Sequence, residues 1–502
     1  MTVAFEEDMA TVDQEFFRRV ARIPHHGLGL SVDVYTPDLF DLLDALAEGG
    51  AGGRGLDCDY LEIFKAALPA LADVRRRLPN TLLEYHAEGL WITQPDLETR
   101  YPFEAELAAA AAHLRTLGSH WMNHECAAKQ MAGYSFGTYL PPLFTRASAA
   151  VTARHIGLVQ HRFDGESRSP GRYGPLFLLE LPPLTYFGFG DVSVADFFRF
   201  VTEATPCGLV LDLGHLWTVY RYSDAWRDRD LREFLSDFLE AFPLERVVQI
   251  HVAGLAGHES GEMAGLAATG SRGPFWIDAH GAPIPDVLFD MLELVLAHPR
   301  LRHLKGIALE VDNKSVPLIV QEFRRLREQW AWWKGVDEQG QQDEWASNAQ
   351  AGRPAPLVGT DGVPCEGTDG LLEQYDRYAR IVTGGAADAV PSLGMVPGAL
   401  EIYRHTYFPH EILHWGGELR DMFPETCRQL DRGGVALTAF VHYWVREPRP
   451  SQTPYDFFLL KLERFVEFVR EVLPTAIPTA EREAAELRGA YQAACAPVTS
   501  EA

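Results

Sequence analysis

The chain has 502 residues, long for a single core, so two domains are the starting expectation. Hydrophobic residues at 47% and charged residues at 23% exclude a disordered polymer and fit a folded globular protein. A formal net charge of −25 repels phosphate backbones and argues against a nucleic-acid partner.

Strand-like runs recur through the first two thirds. They are Gly27–Tyr35, Tyr60–Phe64, Thr81–Tyr85, His120–Asn123, Leu176–Leu181, Gly208–Leu213, Val247–Val252 and Gly306–Val311. Several are unbroken apolar runs that end in a polar residue, the pattern of strands covered on both faces. Helical periodicity lies between them, over Pro37–Ala47, Phe103–Leu117, Val194–Ala204, Leu231–Phe242, Pro285–Leu296 and Pro317–Trp330. The alternation predicts an α/β fold, a (β/α)8 barrel. A doubly wound open sheet is the alternative, but no G-x-G-x-x-G follows the first strand. Gly335–Gly367, rich in Gly, Gln, Asp and Pro, reads as a linker. Beyond it Leu371–Val382, Gly398–Tyr407, His410–Met422, Val435–Val445 and Tyr455–Leu473 look helical. The expected organisation is a metal-binding barrel over 1–334, a linker over 335–367 and an all-helical domain over 368–502.

Cys58, Cys126, Cys207, Cys365, Cys427 and Cys495 are scattered and form no C-x-x-C pair, so neither a disulfide framework nor a zinc ribbon is expected. The acidic start, with Glu6, Glu7 and Asp8, is unlike a secretory signal. No apolar run approaches the ~18 residues that span a bilayer. A cytoplasmic enzyme without a membrane partner is the simplest placement.

The residues that end the strands carry chemistry. They are His86, His124, Glu180, Asp212 with His215, His251, then Asp278 and His280 in the following loop, and Glu310. In a parallel barrel these positions converge on one mouth, where active sites lie. A single histidine at a strand end is usually just hydrogen-bonded; the recurrence in six successive strand units is the signal. Five imidazoles and four carboxylates brought together would repel and pay for desolvation unless divalent cations neutralise them. The mixture suits zinc, manganese or iron. Nine ligands exceed the need of one ion, so two or three are expected.

FLLE (177–180), LDLGHL, LERVVQIHVAG, WIDAHGAPIPD and ALEVDN, with the His86 and His124 strand ends, resemble the multinuclear non-haem iron-dependent oxidative enzymes. That family includes the methanobactin-forming oxidase and belongs to the xylose-isomerase-like barrels. The resemblance runs from about Pro24 to Leu326. It implies two or three mixed-valence irons held by the nine residues, dioxygen as co-substrate, and oxidation of a peptide, often at cysteine, in ribosomal-peptide natural-product biosynthesis, or of a small amino-acid-derived substrate. Asp312 is then a partner of a ligand rather than a ligand. The chain departs from the pattern at Leu61–Pro69, Asn123–Glu125 and Glu180–Pro183, positions that shape the substrate pocket. On the same barrel, a zinc-, manganese- or magnesium-dependent sugar isomerase or phosphodiesterase is the alternative; an isomerase would want a lysine at the mouth, for which Lys129 is the candidate.

The C-terminal part contains His410-Glu411-Ile412-Leu413-His414, which on a helix is the two-histidine signature of zinc proteases, with Glu418 as a third ligand. Its surroundings instead resemble the helical partner proteins encoded beside many of these oxidases, which are thought to hold the substrate peptide. That resemblance implies a partner fused to its enzyme, with His410 and His414 as surface or packing residues. Tyr443, Trp444, Phe457, Phe458, Phe465 and Phe468 follow helical spacing and read as core.

Overall fold

A computed structural model describes residues 2–35, 37–49, 58–166, 173–184, 186–223, 225–258, 275–330, 368–384, 392–395, 399–450 and 455–494. The expected linker, Cys365 and Cys495 lie outside these residues. Eight parallel strands close into a barrel. They are β1 (Gly27–Val32), β2 (Tyr60–Phe64), β3 (Leu82–His86), β4 (Trp121–Glu125), β5 (Leu176–Glu180), β6 (Gly208–Asp212), β7 (Val247–Val252) and β8 (Gly306–Glu310). β8 returns to β1 in register from Gly27 opposite Gly306 to Ser31 opposite Glu310. The expected (β/α)8 architecture is therefore present.

Helices Phe103–Leu117 and Val194–Ala204 span the residues that periodicity gave them. Ser193 caps the second by accepting from the Asp196 amide, a contact typically worth about 1 kcal/mol. Other elements were not legible. Thr2–Val20, Arg146–Glu166 and Leu213–Tyr222 are helices, and Ala128–Met131 pairs with Tyr134–Leu140 as a hairpin after β4.

The first of these helices closes the barrel floor. Phe16, Val20 and Ile23 pack with the lumen side chains Tyr60, Trp121, Leu176, Leu178, Val210, Val248 and Ala308. Full burial of side chains of this size contributes roughly 1.5–3 kcal/mol each. Arg246 fixes the helix, with its guanidinium 4.6 Å from the Phe16 ring centroid and Nη2 donating to Asp13 at 2.5 Å.

At this end of the barrel Glu84 gathers four donors. Its Oε1 lies 2.6 Å from His26 Nε2 and 2.9 Å from His120 Nδ1. Its Oε2 accepts from the amides of His120 and Trp121 at 2.7 and 2.9 Å. The hydrogen bond to Glu84 outweighs burial and raises the His120 pKa above its ordinary value. A raised folded pKa stabilises fully below the unfolded value of ~6.5 and loses that contribution as pH rises through the folded value. Urea unfolding should therefore show a larger gap between wild type and His120→Ala at pH 6 than at pH 9. The difference should be at most about 1 kcal/mol, because 36% of the His120 side chain is exposed.

The C-terminal region is helical over Thr368–Val382, Phe408–His414, Pro424–Arg432, Thr438–Trp444, Phe457–Val472 and Ile477–Ala494. Two features differ from expectation. Ser392–Met395 is a strand, paired antiparallel with Phe187–Gly190. The helix expected over 410–422 breaks at Gly416 and Gly417, whose φ of 68° and 117° a helix cannot contain. Within the aromatic stripe, Trp444, Phe465 and Phe468 are fully buried, Tyr443 and Phe457 nearly so, and Phe458 is partly buried.

This region clasps the segments on either side of β4. Trp444 Nε1 donates to the Ser135 carbonyl at 2.5 Å, and the Tyr455 amide to Glu106 at 2.9 Å. The Tyr375 hydroxyl lies 2.7 Å from Ser148 Oγ. The Arg449 amide donates to Gly133 O at 2.7 Å. A Cβ at Gly133 would lie 2.8 Å from Pro448 Cβ, so the close approach requires glycine. No described helix is long and apolar enough to cross a membrane.

Candidate metal centre

Side chains alternate along each strand, so every second residue faces the lumen. Tyr60 and Trp121 fill the floor, and the same parity carries Glu62, Asn123 and Glu125 upward into the barrel. Glu180, Asp212, His251 and Glu310 meet at the C-terminal mouth, all buried and each offering a ligand atom within 4.8 Å of the others. His215, Asp278 and His280 form a second group on the same criterion, and His86, Glu125 and Glu180 a third. The groups abut. Glu180 belongs to two of them, and His280 Nε2 lies 3.3 Å from Glu310 Oε2.

The structure thus brings together eight of the nine expected residues and leaves out His124. Its parity turns it away from the lumen, where Nε2 accepts from the Leu90 amide at 3.2 Å and Nδ1 lies 2.8 Å from the Glu125 carbonyl. Burial lowers its pKa to about 4. Glu125 occupies the lumen position instead. The sequence pattern ends the strand at Asn123 and points to the next residue; the strand runs to Glu125. Glu62 was also missed. The signal was present in YLEIF, a carboxylate inside an otherwise apolar buried strand.

The imidazoles are oriented by neighbours. His215 Nδ1 lies 2.6 Å from the Leu181 carbonyl, which leaves Nε2 facing Asp278 at 3.3 Å. His280 Nδ1 is held by Asp312 at 3.2 Å, the position foreseen for that residue, and Nε2 faces Asp278 and Glu310. His251 Nε2 lies 2.9 Å from Glu62, while Nδ1 lies 3.2 Å from Glu180 and 3.1 Å from Glu310. The Asn123 amide donates to Glu180 Oε2 at 2.6 Å.

Four imidazoles face six carboxylates, so even full protonation leaves excess negative charge. Two like charges 4 Å apart repel by about 4 kcal/mol at an effective dielectric of ~20. The groups respond accordingly. Burial pushes the Asp212 carboxyl up to about 8 and Glu125 up to about 7. Burial also opposes charge on His251, His215 and His280, but the surrounding carboxylates outweigh it and hold all three well above the ordinary value. Asp212 Oδ2, Asp278 Oδ1 and Glu125 Oε2 are buried without a hydrogen-bond partner. Orphaned carboxylate oxygens next to imidazoles fit a cluster of divalent cations, and the all-N,O donor set suits iron, manganese or zinc.

His410 and His414 lie elsewhere. Their rings stack at 4.6 Å, His414 contacts Glu418, and both are exposed. Among the described residues no three-residue ligand group includes them.

Such an arrangement marks a class of protein, a (β/α)8 barrel with imidazole–carboxylate clusters at the end where such barrels carry their chemistry. The chain belongs to the family described as RiPP precursor modification enzyme MbnB/TglH/ChrH, whose profile matches residues 60–330. It is 29% identical to a UPF0276 protein of Paraburkholderia phytofirmans over 207 residues, 40% of this chain and 52% of that one. A UPF0276 protein of Anaeromyxobacter is 25% identical over 319 residues, 61% of this chain and 93% of its own. The chain spans 52% and 64% of the Paraburkholderia and Caulobacter relatives it matches. Endonuclease IV from Thermus thermophilus aligns with 62% of this chain and 100% of its own at 18% identity, with a TM-score of 0.37.

Proposed function

We propose that the chain is a multinuclear non-haem iron enzyme that uses dioxygen to oxidise a peptide, with residues 368–502 acting as a fused substrate-recognition domain. The observation that carries the reading is the three abutting ligand groups in one buried mouth. They number more donors than a single ion takes and contain no thiolate. His86, Glu125, Glu180, Asp212, His215, His251, Asp278, His280 and Glu310 would hold the metal. When bound, the irons would supply open positions for dioxygen and substrate and a redox couple through which electrons leave the substrate for dioxygen.

The chain's own residues do the rest. Leu181 O, Asp312 and Glu62 fix the rings of His215, His280 and His251, so that the nitrogen facing the mouth is set before any ion arrives. Asn123 orients Glu180, the carboxylate shared by two groups. Lys129 pairs with Glu88 and lies 4.2 Å from the Tyr139 ring centroid and 5.8 Å from that of Trp415. This brings a residue of the helical region alongside the barrel mouth. Such an aromatic rim would exclude water and receive substrate.

The test is elemental analysis and iron-57 Mössbauer spectroscopy on anaerobically purified protein, followed by dioxygen uptake with candidate peptides. Two or three irons per chain with coupled ferric and ferrous signals, and uptake that depends on peptide, are expected. Zinc or manganese alone after anaerobic iron reconstitution would overturn the reading and favour an isomerase or hydrolase.

A further inference from the structure

A groove of about 470 Å³ lies where the barrel meets the helical region, away from the metal-ligand groups. Three guanidiniums, Arg100, Arg380 and Arg449, line it together with Gly133 and Tyr134 of the hairpin and, among the described residues, a single carboxylate, Asp376. A cluster of three arginines stands out on a chain whose net charge is −25. The three arginines are not equivalent. Arg100 Nε pairs with Asp96 at 2.8 Å, and Arg449 Nη1 with Glu467 at 2.6 Å. Arg380 is exposed and has no carboxylate within ion-pair distance among the described residues. The walls are fixed, because the Arg449 amide is bonded to Gly133 O and the hairpin turn at Ala132 and Gly133 adopts left-handed φ of 52° and 81°.

The hairpin also links the groove to the candidate centre. Lys129 and Tyr139, at its base, flank the side on which Glu125 lies. Ala132 to Tyr134, at its tip, line the groove. Three residue steps of extended chain take Lys129 to Ala132, roughly 10 Å at ~3.3 Å per step.

We propose that this groove docks an acidic segment of the peptide substrate, with Arg380 as the principal contact and the reacting residue a few positions away along the peptide. The inference rests on the peptide reading of the barrel site. Guanidinium favours carboxylate through paired, charge-assisted hydrogen bonds, and carboxylates spaced along a peptide can engage several arginines at once. The overall field of the protein repels an acidic peptide, so binding of one requires a local site of this kind.

The experiment uses the full-length chain and a fluorescently labelled hexaglutamate, followed by anisotropy, with hexalysine and inorganic phosphate for comparison. Saturable binding that weakens with salt is expected, and Arg380→Glu should weaken it about tenfold by reversing one contact. Arg380→Lys, which keeps the charge but loses the paired donors, should weaken it less than Arg380→Glu does. Failure of hexaglutamate to bind at low salt, or equal binding by Arg380→Glu, would overturn the proposal. So would displacement by inorganic phosphate at equal concentration, which would make the groove a simple anion site. Metal content measured on the same samples separates the two readings. Groove binding by a protein that takes up no iron would leave the docking site standing and remove the oxidative function.

Discussion

Replacing His251 with alanine is expected to abolish metal binding at the group it shares with Glu180, Asp212 and Glu310, and with it all dioxygen-dependent activity. The ring sits at the centre of the cluster. It is fully buried, with Nδ1 between Glu180 and Glu310 and Nε2 against Glu62. Its removal takes away one proposed ligand and leaves three carboxylates facing one another without the imidazole. Breaking a buried charge pair in this way typically costs about 3–5 kcal/mol, so a lower melting temperature should accompany the loss. Glu310→Gln distinguishes a ligand defect from misfolding, because it preserves shape and removes a negative charge. It should keep the far-ultraviolet circular dichroism of wild type and still bind less metal by elemental analysis. Full metal content in both variants would remove these residues from the centre.

The second large effect is a contrast between adjacent residues. Glu125→Gln should reduce metal content and activity, whereas His124→Ala should retain metal stoichiometry. His124→Ala should instead lose stability, by about 1–3 kcal/mol for the buried groups left unpaired, since its ring nitrogens meet Leu90 N and Glu125 O. Elemental analysis and urea unfolding of the two variants, side by side, measure both quantities. Retention of metal by Glu125→Gln and its loss in His124→Ala would reverse the assignment.

This pair also shows where sequence reading stops. A strand boundary displaced by two residues does not change a fold, but a shift of one residue inverts which side chain enters the lumen. In the run HWMNHE the histidine attracts attention as the stronger metal ligand. Its direction follows from Trp121 facing the barrel floor, and Glu125 shares that parity. Glu62 escaped notice for a related reason. It lies mid-strand rather than at the strand end, and only closure of the barrel brings it against His251. The arginine groove was equally hidden, since Arg100, Arg380 and Arg449 come from three distant stretches of chain.

The order of residues dictates the barrel, because unbroken apolar runs alternating with amphipathic helices have few other ways to cover both faces of their strands. It dictates the chemical character of the mouth as well, since strand-end residues such as Glu180, Asp212, His251 and Glu310 must converge once the strands run parallel around a closed barrel. Three matters are settled only when the chain has folded: which ring nitrogen faces the centre, that Glu125 enters while His124 leaves, and how the helical region grips the hairpin after β4. The physical reason is common to all three. Each depends on contacts between residues far apart in the chain, and local periodicity carries no information about those.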